Sequence, residues 1–214
     1  MEPLKEPRLP VQKRSRDRVK KILDAAESII AESGWGAATS HAIAKRAGVP
    51  PAGVYHFFPD RYMIYDALTE RNDQEFGASF PDKMSKAKID AWPDIINVFI
   101  DLINDYCVSN KAARELSFGC DGEYETRWST STHHSSLSES LQVLYSSHFD
   151  LQNVDGLSTK FDLTADFIMT GFTQAVKNGD PVNYEILDEM RHAVVAYIAS
   201  WIGEPTRLIV SDSA

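Results

Sequence analysis

Apolar residues recur at three- and four-residue intervals from Val19 onward, with Ile22, Leu23, Ala26, Ile29 and Ile30 following on one helical face. That helix is expected to begin at Asp17 and to end at Gly34 and Gly36, with Trp35 anchoring the turn in the core. Two short helices follow. Pro59-Asp60 breaks the second, and a longer helix resumes near Asp60 with Tyr62, Ile64, Tyr65, Leu68 and Phe76 as buried positions. Pro81 is expected to interrupt the chain again. Beyond it, Trp92 to Val108 is strongly amphipathic through Ile95, Ile96, Phe99, Leu102, Ile103 and Tyr106, and Lys111 to Ser117 predicts a short helix. A long helix is expected from Glu123 to His148, although the Ser/Thr/His run from Ser129 to Ser136 forms helix poorly. After a loop over 150–158, two clear helices, Phe161 to Lys177 and Tyr184 to Ile202, are joined by Asn178-Gly179-Asp180-Pro181. The tail from Pro205 is expected to fray. No segment alternates as a strand does, so the fold class is all-α.

The chain has 214 residues, 43% of them hydrophobic, enough for one large or two modest cores. No apolar run approaches the length of a membrane span, and the polar, proline-bearing start does not read as a secretory signal. Cys107 and Cys120 are too few for a disulfide scaffold, and free thiols in a reducing cytoplasm are the simpler expectation. The net charge of −9 divides unevenly. Residues 1–61 carry eleven Lys/Arg against seven Asp/Glu, a net of +4, while 62–214 carry eleven against twenty-four, a net of −13. Much of the positive charge lies in Lys13, Arg14, Arg16, Arg18, Lys20 and Lys21. Such a chain presents one end to a polyanion and repels it elsewhere. Residues 1–16, with three prolines and five Lys/Arg, read as a basic flexible arm.

The most informative stretch is Thr39 to Arg61. A short helix starts at the Thr39 cap, buries Ile43, Ala44 and Ala47, and stops at Gly48; a second starts almost at once on proline. Two short helices joined by a tight glycine turn make a helix-turn-helix, whose second helix can enter a DNA major groove. With Ile22, Leu23, Ala25, Ala26, Gly34, Thr39, Ile43, Ala44, Ala47, Gly48, Val49, Tyr55 and Phe58, roughly residues 18–64 resemble the tetracycline-repressor (TetR) family of bacterial transcription regulators. Arg61 stands where that family usually has Lys. The resemblance implies a homodimer with a helix-turn-helix DNA-binding domain over 17–62. It also implies a ligand-binding and dimerisation domain over 63–204, followed by a tail over 205–214.

By the same resemblance, DNA contacts are expected from Thr39, His41, Lys45, Pro51, Ala52, Gly53, Tyr55, His56 and Arg61. Thr39 would cap its helix and also meet a phosphate, and Tyr55 would point its hydroxyl at another. Lys45 is a better candidate than Arg46, and Phe57 and Phe58 are wedges between helices. Two departures matter. Pro50 replaces a capping Ser and offers no side-chain acceptor, and Gly53 stands where a Thr or Ser often touches the DNA backbone. The exposed recognition positions therefore supply few donors and no arginine, which leaves readout to thymine methyls, His56 and DNA shape.

The acidic body carries no enzyme signature: no G-x-S-x-G elbow, P-loop or dinucleotide fingerprint occurs. Cys107, Cys120, His133 and His134 lack the tight pairs of a metal site, and no cofactor is expected. Trp92, Phe99, Tyr106, Phe118, Trp128, Phe167 and Phe172 lie on helices that the family's architecture would gather round a cavity. Asn104, Cys107, His133 and His134 are its candidate polar groups. Each aromatic has ordinary core packing as its alternative. The last two helices would form the dimer interface, through Phe167, Gly171, Leu187, Met190, Val194, Tyr197, Ile198 and Trp201. The expected partners are an operator duplex, a small-molecule effector and a second copy, with no membrane. The competing reading is a helical carrier or enzyme that keeps the fold without binding DNA.

Overall fold

The computed structural model describes residues 13–119 and 133–208. Nine helices occur among them: α1 (Lys13–Ser33), α2 (Ser40–Ala47), α3 (Pro51–Phe57), α4 (Arg61–Ser85), α5 (Trp92–Ser109), α6 (Lys111–Arg114), α7 (His133–His148), α8 (Leu157–Lys177) and α9 (Tyr184–Ile202). A π turn, Glu115–Gly119, extends α6. The fold is all-α, with a single isolated bridge between Phe149 and Arg207 among the described residues. Two compact units form. One holds α1 to α3, α4 as far as Ser79, and residues 109–119; the other holds residues 80–108 and 133–208.

In the first unit, Ile22, Ala26 and Ile30 on α1 and Ile43, Val54, Ile64, Tyr65 and Leu68 are shut off from solvent. The Tyr65 hydroxyl donates to the carbonyls of Trp35 (2.7 Å) and Ala38 (2.9 Å). The α1–α2 turn is thus held by backbone carbonyls, while the Trp35 side chain itself is only half-buried. Arg71 on α4 reaches α1 with both terminal guanidinium nitrogens, to Asp24 at 2.7 Å and Glu27 at 2.9 Å. Burial pushes the Asp24 carboxyl upward, but hydrogen bonds from Lys20 and Arg71 outweigh it and hold the group below its ordinary range. Of the positions predicted on α4, Tyr62 and Phe76 are half-buried and the other three are buried.

Three boundaries differ from expectation. First, α1 reaches back to Lys13, so the last residues assigned to the arm are helical. Second, α4 runs through Pro81 to Ser85. Proline removes one ladder bond, whose acceptor would be the Gly77 carbonyl, and Gly77 lies in an exposed turn where water can take its place. The Ser79 hydroxyl meanwhile donates to the Phe76 carbonyl at 2.8 Å. Third, residues after Pro205 are tied down rather than frayed as far as Leu208. The Asp150 amide donates to the Thr206 carbonyl (2.9 Å), and the Leu208 amide to the His148 carbonyl (2.8 Å). The long helix expected from Glu123 is described only from His133.

In the second unit α8 packs against both α7 and α9. Its buried positions, Phe161, Ala165, Ile168, Phe172 and Ala175, follow the four-three spacing of a single face. Leu187, Met190, Val194 and Ile198 do the same on α9. At Gly171 the Met190 side chain fills the place a Cβ would occupy, so these helices approach more closely than any larger residue allows. Arg191 ties α9 to α5, donating to the Asn97 carbonyl at 3.0 Å and pairing with Asp101. Among the described residues no helix is long and apolar enough to cross a membrane.

Candidate nucleic-acid interface

Local chemistry fixes the helical pair. The Thr39 hydroxyl accepts from the Ala42 amide at 3.2 Å, satisfying one orphan donor of α2. At the other end Gly48 adopts φ 66°, and the Val49 amide returns to the Ala44 carbonyl at 3.1 Å. Pro51 then opens α3 in the first helical position, where its missing N–H costs nothing. Pro50 gives no side-chain cap, as its chemistry requires. Asp60 caps the following helix by accepting from the Met63 amide at 3.0 Å.

The short α3 divides cleanly into two sides. Val54 and Phe57 are buried; Pro51, Ala52, Tyr55 and His56 are exposed, with Tyr55 at 53%. At 100° per residue the four exposed positions fall within an arc of about 140°. His56 stands edge-on to the Phe57 ring, with centroids 4.9 Å apart. Gly53 lies about 60° beyond this arc, on the side of Phe57, and is half-buried. On α2, His41 and Lys45 are exposed.

Two nearby arginines behave differently from Lys45. Arg46 makes a bidentate pair with Glu32 on α1, both contacts at 2.8 Å, and also donates to the Ser28 hydroxyl at 2.7 Å. Those hydrogen bonds hold the Glu32 carboxyl below its ordinary range, and Glu32 in turn raises the Arg46 guanidinium. Arg61 is half-buried, its guanidinium 5.0 Å from the centroid of the Tyr62 ring. Lys13, Arg14, Arg16, Arg18 and Lys21 on α1 are exposed, whereas Lys20 pairs with Asp24 at 2.8 Å. The Arg46–Glu32 pair was not legible in the sequence. Its residues lie fourteen positions apart, and only the packing of α2 on α1 joins them.

The described members of the predicted effector set are divided between the two compact units. Trp92, Asn104 and Tyr106 are half-buried, and Phe99 and Cys107 are buried, all on α5. The Asn104 side-chain oxygen is buried and has no hydrogen-bond partner among the described residues. Phe118 belongs to the other compact unit, and Phe172 is fully enclosed on α8. Trp128, Cys120 and the side chains of His133 and His134 lie outside the described residues.

The predicted dimer residues divide by exposure within the protomer. Leu187, Met190, Val194 and Ile198 are buried in the protomer's own core, and Gly171 is filled by Met190. The four side chains keep at most 7% of their surface exposed, and Gly171 is half-buried. Phe167, 41% exposed, instead faces outward with Leu163 and packs edge-on against Tyr197 at 5.1 Å. Tyr197 continues to Trp201 at 6.4 Å. In sequence this aromatic face is not separable from the buried one, because both sides of α8 are apolar and period alone does not say which side is covered.

Residues 22–68 match the family model described as bacterial regulatory proteins, tetR family. No significant sequence match was found among curated proteins. Solved structures show the fold. A TetR-family transcriptional regulator from Streptomyces coelicolor superposes with a TM-score of 0.68 at 23% identity, covering 87% of this chain and 98% of that one. One from Pectobacterium atrosepticum gives 0.67 at 13%, covering 92% and all of that chain. The fatty acid degradation regulator FadR from Bacillus halodurans gives 0.60 at 16%, covering 83% and 94%.

Proposed function

By its N-terminal domain this chain belongs to the TetR family of bacterial regulators, and we propose that it is a dimeric, ligand-responsive repressor. The family fold supports a DNA-binding transcriptional regulator. The observation that carries it here is the exposed face of Pro51, Ala52, Tyr55 and His56 on a helix fixed by local caps, beside an exposed Lys45. Tyr55, Lys45, Arg61 and Thr39 are assigned to phosphates, and Pro51, Ala52 and His56 to bases, with His41 and Gly53 at the margins. A two-fold dimer would set two such helices about 34–36 Å apart, one turn of duplex, over a partly palindromic operator.

The second copy is assigned to the outward face of Leu163, Phe167, Tyr197 and Trp201. The effector is assigned to the helical body around α5 and α8, where Asn104 presents a buried oxygen with no hydrogen-bond partner among the described residues. A net −13 over residues 62–214 disfavours a multiply anionic effector, so a neutral, cationic or largely apolar compound is expected. Binding would favour a conformer with different spacing between recognition helices, and operator affinity would fall by linkage.

The test is fluorescence anisotropy of the full chain on its own upstream DNA, titrated with salt and then with a mixed compound set. Salt-dependent, sequence-preferring binding that a compound reverses supports the reading. Stabilisation by compounds without DNA binding would support a carrier instead.

A further inference from the structure

In the major groove, Arg or Lys reads guanine bidentately and Asn or Gln reads adenine. The outward face of α3 holds none of these. The nearest guanidinium on α2, Arg46, is engaged with Glu32 and Ser28. Lys45 is exposed, but a flexible ammonium on a phosphate selects charge rather than sequence. Tyr55 and His56 can each give a base edge only a single, unforked hydrogen bond.

What this face has instead is a low apolar ledge. The Pro51 ring and the Ala52 methyl are exposed at its leading turn, and Gly53 follows. Gly53 is unusual because nothing within the chain demands it. A Cβ there would meet only the Pro50 Cδ, at an ordinary 3.9 Å, and the residue is not at positive φ. Glycine inside a helix is unfavourable relative to alanine, so its use without an internal reason points to close approach from outside.

We infer that Pro51, Ala52 and Gly53 form a thymine-methyl reader: the operator half-site carries a thymine whose C5-methyl packs on Ala52, and the missing Gly53 side chain lets α3 sit deep enough to reach it. This rests on the DNA-regulator reading and names the base chemistry that the reading requires. Apolar contact with the thymine methyl is one of the few base-specific interactions open to alanine.

The experiment uses the full-length chain and a random 30-base-pair duplex pool. After selection, the enriched duplex is resynthesised with deoxyuridine replacing each thymine in turn, which removes the methyl and leaves base pairing unchanged. The account predicts about a fourfold loss of affinity at one position per half-site, and about fifteenfold when both half-sites are changed. Ala52→Gly should weaken the thymine duplex and abolish its advantage over the deoxyuridine duplex. Gly53→Ala should fold with undiminished thermal stability yet bind the selected duplex several-fold more weakly, with unspecific binding unchanged. Should Ala52→Gly fail to fold, the deoxyuridine series on the unaltered chain and Gly53→Ala still decide. Enrichment followed by affinities within twofold for every deoxyuridine duplex overturns this inference alone. No enrichment and no salt-dependent binding overturns the regulator reading, and this inference with it.

Discussion

The outward faces of α3 and of α8 with α9 are both sides of amphipathic helices, but they are built of opposite materials. The first presents Pro51, Ala52, Tyr55 and His56, small or polar groups beside the Lys45 ammonium. The second presents Leu163 and Phe167, each 41% exposed, with the edge-on rings of Tyr197 and Trp201. A face of the first kind suits a polyanion, where charge gives affinity and small groups allow close approach. A face of the second kind leaves large apolar surface in water unless a protein covers it. The two faces predict different partners, and they can be broken separately.

The largest effect is expected where neither partner is involved. Val194→Glu places a carboxylate at a position with no solvent exposure, between helices of the same protomer. A loss of about 4 kcal/mol is expected, with unfolding rather than a clean monomer. Circular dichroism melts should show it; a folded monomer would instead return Val194 to the interface.

Phe167→Glu should do the opposite. Its melt should change little, while sedimentation shows dimer association weakened roughly thirtyfold. Gly171→Ala comes next. The new methyl would collide with the Met190 side chain, costing about 1–3 kcal/mol in urea denaturation. A neutral result would mean that α8 and α9 separate easily. The smallest change, Thr39→Ala, removes the hydroxyl that accepts from Ala42 and should cost about 1 kcal/mol. It should also weaken DNA binding on all sequences alike, which a merely structural cap would not do.

The same comparison explains what could be read in advance. The helical pair was legible almost residue by residue because its limits are local: Thr39 caps, Gly48 takes positive φ, Pro51 starts and Asp60 caps the next helix. Each signal acts within four residues. In the body, helix positions were legible, and α9 agrees to the residue, but the direction of its faces was not. Val194 and Ile198 carry the same period as an interface residue would, and only the packing of α9 on α8 shows that they are already covered. Pro81 misled for a related reason, since a helix survives proline where the freed carbonyl reaches water. The Arg46–Glu32 pair depends on tertiary proximity and left no sequence signal.

The central claim is that α2 and α3 address DNA, and the salt dependence of binding tests it most directly. The full chain is titrated onto its upstream duplex and onto a scrambled one from about 50 to 200 mM salt. Affinity on the upstream duplex should fall by roughly 1000-fold or more across that range, as several phosphate contacts release counterions. It should exceed the scrambled duplex by about 1000-fold at the higher salt, and Lys45→Ala should lower the log–log slope by about one. Weak binding that ignores both salt and sequence, unchanged by Lys45→Ala, would contradict the account.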